Sequence, residues 1–147
     1  MTFTADFTRP PRATAAVPAP AVVTGTPRLL LRFEGAAVLA AAVAGYAHFG
    51  PGWGLFALLF LVPDLSMLGY LAGPRIGAAS YNAGHSYLAA LALAGPGAAL
   101  AQPLALSLGL IWIAHIGFDR MLGYGLKYGT AFGHTHLGVV GKAKTGA

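Results

Sequence analysis

Five ionisable side chains, Glu34, Asp64, His85, His115 and Asp119, stand inside stretches of sequence that are otherwise apolar. Charge held in hydrocarbon costs several kcal/mol, so residues of these types in such a setting point to a functional site. Imidazole and carboxylate together suit Zn, Fe or Mn, and the same groups can exchange protons. Asp64 is the hardest to explain by packing alone, because a carboxylate deep in a membrane must be protonated, paired or bound to metal. Spacing adds a constraint: Asn82 and His85 lie three apart and His115 and Asp119 four apart, so each pair shares one helix face.

The elements that must position these residues are apolar helices. Hydrophobic residues make up 56% of the 147-residue chain and charged residues 9%, with a mean hydropathy of +0.67; soluble domains carry about 25% charged residues. Four apolar stretches, about 29–49, 53–72, 76–94 and 104–122, each approach the roughly 20 residues that cross a bilayer as a helix. Between them stand Gly50-Pro51-Gly52, Gly73-Pro74-Arg75 and Gly95-Pro96-Gly97, which stop helices and make tight turns. Short connections imply antiparallel neighbours, so the expected fold is an all-α membrane protein, a four-transmembrane-helix up-down bundle. Pro103 suits the first turn of the last span, whereas Pro63, directly before Asp64, predicts a kink beside an intramembrane acid.

Residues 28–140 form the expected membrane domain, followed by a C-terminal tail at 141–147. Residues 1–27, rich in Pro, Ala and Thr, read as a flexible cytoplasmic tail, with a cleaved signal peptide as the rival reading. The cations fall near the start of the first span at Arg9, Arg12, Arg28 and Arg32, in the second loop at Arg75, and after Asp119, while the first and third loops carry none. Both termini and the second loop are therefore expected in the cytoplasm, which places all five ionisable residues in the inner half of the bilayer. That distribution accounts for the net charge of +5 without a nucleic-acid partner, since no basic face of a soluble element is present. With no cysteine, disulfides, thiolate ligation and a cysteine nucleophile are all excluded.

Several of these residues have plainer readings. Glu34 can pair with Arg28 or Arg32 at the interface, Asp119 with Arg120, and Asn82 can hydrogen-bond across helices as packing glue. His134 and His136 alternate with Thr135 in a glycine-rich segment that reads as a loop or re-entrant stretch; they can ligate metal or sit solvated in a tail. With Tyr124, Lys127 and Tyr128, that segment can cap the polar pocket from the cytoplasmic side. His48, near Tyr46 and Trp53, reads as an interfacial residue.

Four blocks carry a family resemblance: PDLSMLGYLAGP at Pro63 to Pro74, YNAGHSY at Tyr81 to Tyr87, IWIAHIGFDRMLGYGLKY at Ile111 to Tyr128, and THLG at Thr135 to Gly138. Together they resemble the bacterial membrane-protein family catalogued as domain of unknown function 4260, over about Arg28 to Gly138. The resemblance implies a small polytopic protein of the bacterial cytoplasmic membrane and brings no activity, cofactor or catalytic assignment.

Three function classes compete. In the first, a metal-dependent membrane enzyme, Asp64, His85, His115 and Asp119 hold a divalent ion such as Zn, Fe or Mn. Asp64 also serves catalysis, and Glu34 or His136 orients water for attack on a lipid-like or amphipathic substrate. In the second, the same groups form a proton-linked binding or transport pocket, for which four spans suggest a homo-oligomer. The third treats the cluster as interhelical glue in a structural or accessory subunit. No HExxH or GxSxG signature supports an enzyme, and no internal repeat supports a carrier.

Overall fold

The structure, a computed structural model, describes residues 22–140. Of the tail expected over 1–27, residues 1–21 lie outside the described residues, as does the C-terminal tail at 141–147, while residues 25–27 already belong to the first helix. The fold is helical: α1 (Gly25–Phe49), α2 (Trp53–Leu59), a 3-10 helix (Val62–Ala72), α3 (Pro74–Gly84), α4 (Tyr87–Ala99) and α5 (Pro103–Leu122). A two-stranded hairpin follows, β1 (His134–Thr135) and β2 (Gly138–Val139), with His134 opposite Val139 and Thr135 opposite Gly138. Three segments, Gly25–Phe49, Trp53–Ala72 and Pro103–Leu122, are long and apolar enough to cross a membrane.

α5 is the central element, with α1 and α4 packed along it. Close approach to α1 depends on missing side chains: a Cβ on Gly35 would meet the Arg120 Cβ at 2.6 Å, and one on Gly117 would meet the Leu39 amide nitrogen at 2.7 Å. Because that second contact is backbone, it cannot yield by a rotamer change. Gly117→Val is expected to cost about 1–3 kcal/mol, read as a lower thermal midpoint in detergent; an unchanged midpoint would mean that α1 and α5 are not held this closely.

The expected kink at Pro63 is a change of helix type. Proline has no amide hydrogen to continue the α pattern, and the Asp64 amide instead bonds the Leu61 carbonyl at 3.1 Å, an i to i−3 link. The tighter winding then persists for 11 residues, far beyond the usual three or four. Three residues per turn divide the segment into three straight faces. Val62, Leu65, Leu68 and Leu71 are all exposed. Ser66 and Gly69 lie against α3, where added Cβ atoms on Gly84 and Gly69 would meet Ser66 and Ser80. Asp64, Met67 and Tyr70 share the third face. An α-helix, at 3.6 residues per turn, would rotate these rows off their partners.

The stretch expected as one span over 76–94 is instead two helices that meet at His85 and Ser86. His85 still closes α3 by donating its amide to the Tyr81 carbonyl at 2.8 Å, while Ser86 turns extended and its hydroxyl accepts the Leu88 amide at 3.2 Å as the cap of α4. The break frees carbonyls that distant side chains satisfy. Trp112 Nε1 donates to the Gly84 carbonyl at 2.6 Å, and Arg120 Nη2 to the His85 carbonyl at 3.0 Å. Gly95-Pro96-Gly97 is likewise not the third loop; α4 runs through it to Ala99, and the chain reverses at 100–102. A Cβ on Gly97 would meet the Leu106 amide nitrogen at 2.5 Å, so this glycine serves the contact between α4 and α5.

At its far end α5 stops on Gly123, whose φ of +95° favours glycine. The Tyr124 amide returns to the Asp119 carbonyl at 2.8 Å and the Gly123 amide to the Arg120 carbonyl at 3.0 Å. This cap turns the following segment back across the ends of α1 and α3. Leu137, at the hairpin turn, is fully buried, and Asn82 of α3 holds Lys127 by two bonds, one to its amide at 2.7 Å and one to its carbonyl at 2.9 Å.

Candidate metal centre

Asp64 from the 3-10 helix, His85 from the end of α3, and His115 and Asp119 from α5 converge on one point, each offering a donor atom within 4.8 Å of the others. His85 Nε2 lies 3.1 Å from His115 Nε2, 3.3 Å from Asp64 Oδ1 and 3.5 Å from Asp119 Oδ2; His115 Nε2 lies 3.5 Å from Asp64 Oδ1. Donors bound to one ion at about 2.0–2.2 Å sit roughly 3.0–3.5 Å from their neighbours, in octahedral or tetrahedral geometry. These four separations fall in that range. Asp64, His85 and His115 close a complete triangle, the two-histidine, one-carboxylate face that leaves further positions open.

The helix break makes this convergence possible. His85 stands where α3 ends, so its ring stacks on Tyr81 one turn earlier, with centroids 3.8 Å apart, and its Nδ1 faces the Tyr81 carbonyl at 3.0 Å. A proton on Nδ1 donates to that carbonyl and leaves Nε2 bare toward the cluster, the form that ligates metal. Ser66 Oγ is 3.4 Å from the same Nδ1. Asp119 accepts a 2.9 Å hydrogen bond from the Tyr81 hydroxyl at Oδ2. Tyr81→Phe removes that bond while keeping the ring stack, and is expected to weaken metal binding about tenfold and to lower stability by about 1.5–3 kcal/mol; equal affinity would show that Tyr81 does not orient the acid.

Charge within the cluster is not balanced by fixed cations. Among the described residues, no Lys or Arg nitrogen lies within 4.0 Å of Asp64 or Asp119. The expected pairing of Asp119 with Arg120 is absent: the Arg120 guanidinium donates to the carbonyls of Tyr124, at 2.8 Å, and His85. Both histidines are buried and Asp64 is about one-third exposed, so the acid opens the cluster to its surroundings.

It opens into a cavity of about 340 Å³ shared by both acids with Met67, Tyr81, Phe118, Leu122, Tyr124, Lys127 and Phe132. The loop expected as a cap therefore contributes Tyr124, Lys127 and Phe132 to the wall. Burial pushes the Lys127 ammonium below the usual lysine range, opposed by the fields of Asp119 and Asp64.

Glu34 and His136 do not join the cluster. They line a separate cavity of about 200 Å³ with Gly35, Tyr87, Arg120 and others. Neither expected ion pair of Glu34 forms among the described residues, where Arg32 Nε donates instead to the Met121 carbonyl at 2.8 Å. Glu34 and His136, expected to orient water, thus stand apart from the four cluster residues, and the hairpin turns His136 inward so that its Nδ1 accepts the Leu126 amide at 2.8 Å. His134 Nδ1 faces Thr130 Oγ1 at 3.1 Å, and the two loop histidines form no metal group with acids among the described residues.

Burial, reinforced by the Arg120 cation, holds the His136 imidazole below the ordinary histidine range. The folded state thus binds this proton less readily than the unfolded chain, so stability present above about pH 6.5 is lost as pH falls below it. The protection factor of the Leu126 amide, taken against intrinsic exchange at each pH, is expected to fall as pH drops below about 6.5; a flat profile would exclude His136 as the sensitive group.

Among these residues Lys127 was expected in the cap, whereas Trp112, Arg120 and Tyr81 were not singled out as site residues by sequence alone. Tyr81 stands four before His85, a signal that was available; the other contacts cross the fold and leave no local trace. No curated protein and no solved structure matches the chain. The family model described as Domain of unknown function (DUF4260) matches residues 28–140. With more than half its length matched, the chain belongs to that family.

Proposed function

We propose that this protein is a metal-dependent membrane enzyme acting on a lipid-like or amphipathic substrate, with Asp64, His85, His115 and Asp119 holding a divalent Zn, Fe or Mn ion. The observation that carries the reading is the closed triangle of Asp64, His85 and His115 donors at 3.1–3.5 Å, beside a second acid and, among the described residues, with no Lys or Arg nitrogen within 4.0 Å of either acid. A divalent ion there supplies Lewis acidity and an activated water. Asp119, oriented by Tyr81 and facing the same cavity as Asp64, would hold the ion with the other three residues and can take up a proton at its carboxylate. Exposed leucines on the 3-10 helix and the three long apolar helices support embedding in the cytoplasmic membrane of a bacterium, with both termini inside by the charge distribution.

One observation favours a second reading, a proton-linked binding or transport pocket. His115 Nδ1 is buried without a hydrogen-bond partner. Its proton then prefers Nε2, where it can bridge to Asp64 or His85 with no ion present.

Elemental analysis of tag-free protein in detergent separates the two. About one equivalent of a divalent transition metal per chain, removed by a chelator and restored by the ion, is the expected result. A metal content near zero after reconstitution would overturn the enzyme reading and leave the proton-linked pocket.

A further inference from the structure

The ammonium of Lys127 is built into the wall of the candidate active-site cavity, and nothing in the cluster chemistry described so far uses it. The residue is only 7% exposed. Its backbone is clamped by Asn82, and its Nζ lies over the Phe132 ring at 3.3 Å, the Tyr81 ring at 4.5 Å and the Tyr70 ring at 5.5 Å. One of its three N–H groups donates to the Phe132 carbonyl at 3.2 Å. No carboxylate lies within 4.0 Å of it among the described residues. Aromatic faces hold the cation in place, but they leave its charge uncompensated.

A charge count then decides what the cavity accepts. With a divalent ion on the two carboxylates, Asp64 and Asp119 are neutralised and Lys127 leaves the chamber with a net charge of +1. A neutral headgroup would leave that charge unpaired in a low-dielectric site, whereas a monoanionic one completes it. Beside the Tyr81 and Tyr124 phenols, the remaining wall is apolar, from Met67, Phe118, Leu122 and Phe132, the last two exposed at the surface. That combination suits a molecule with one charged end and one apolar end.

We propose that the cavity takes a monoanionic oxoacid group, a phosphodiester, a carboxylate or a phosphate, whose charge is seated between Lys127 and the metal position. This deepens, and rests on, the metal-dependent reading above. The anion's source is a membrane phospholipid or a free oxoanion, and the two share the same recognition.

Native mass spectrometry of metal-loaded protein released from detergent micelles counts metal and lipid adducts on the same ion. Dioleoyl phosphatidylglycerol, neutral dioleoylglycerol and inorganic phosphate are the probes, applied to the wild type and to Lys127→Met, which keeps the stem and removes the charge. The expected result is a phosphatidylglycerol adduct on the wild type at least tenfold stronger than the diacylglycerol adduct, and weakened at least tenfold in Lys127→Met with metal content unchanged. Displacement of the lipid by millimolar phosphate would support the proposal with a free oxoanion as source, and lack of displacement would support it with the lipid. Phosphatidylglycerol binding equally to both proteins with metal retained overturns this proposal alone. Absence of metal from both overturns it together with the functional reading. Should Lys127→Met fail to fold, the wild-type comparison stands by itself: equal adducts with the neutral and anionic lipids overturn the proposal.

Discussion

Replacing His85 or His115 with alanine is expected to lower affinity for the divalent ion by more than about 100-fold, since loss of orienting partners around a metal already costs 10–100-fold. Each substitution removes one corner of the triangle whose sides are 3.1, 3.3 and 3.5 Å. Their consequences for the fold differ. His85 is stacked on Tyr81 and its side chain helps terminate α3, so His85→Ala is also expected to loosen the junction with α4. His115 makes no hydrogen bond through Nδ1 and packs edge-on to Phe60, with ring centroids 5.4 Å apart, so His115→Ala tests the metal with less structural disturbance. Plasma mass spectrometry on dialysed protein, with His48→Ala as a control outside the cluster, reads the outcome. Full metal retention in both cluster variants would mean that the histidines pack against each other and ligate nothing.

The second large effect is expected at Arg120, which touches no donor atom of the cluster. Arg120→Met leaves the His85 and Tyr124 carbonyls without their charged donor. Hydrogen bonds to charged groups contribute about 1.5–3 kcal/mol each, and the Tyr124 bond is exposed, so the loss of stability is expected to be about 2–4 kcal/mol. The His85 carbonyl belongs to the helix break, so metal affinity is expected to fall about tenfold with it. Arg120→Lys keeps the charge but not the fork that reaches both carbonyls, and should recover only part of the loss. Thermal unfolding in detergent measures the first effect and metal titration the second. A stable Arg120→Met variant with native affinity would show that the break holds itself open without α5.

The apolar stretches, the absence of cysteine and the identity of the four cluster donors were legible in the sequence. Hydrophobic runs must be buried or lipid-facing wherever they fold, and ionisable residues inside them need partners whatever the topology. The i,i+4 spacing of His115 and Asp119 holds within one helix, so it needed no tertiary information. The cap formed by Tyr124 and Lys127 was also visible, as a glycine-rich segment too polar for a further span.

What the tertiary structure decided is where helices stop being α-helices and which polar groups meet. Pro63 announces a disturbance, but 11 residues of 3-10 winding persist only because the Ser66 and Gly69 face fits the small residues of α3. The break at His85 is stable because Trp112 donates to the Gly84 carbonyl, 28 residues away, and Arg120 to the His85 carbonyl, 35 residues away. Glu34 and Asp64 look alike as acids in apolar sequence, yet only the packing of α1 on α5 directs one to a separate cavity and leaves the other facing both histidines. Composition and periodicity are properties of neighbouring residues and can be read along the chain. Pairing between a carbonyl and a distant donor is a property of packing, and a linear sequence carries no record of it.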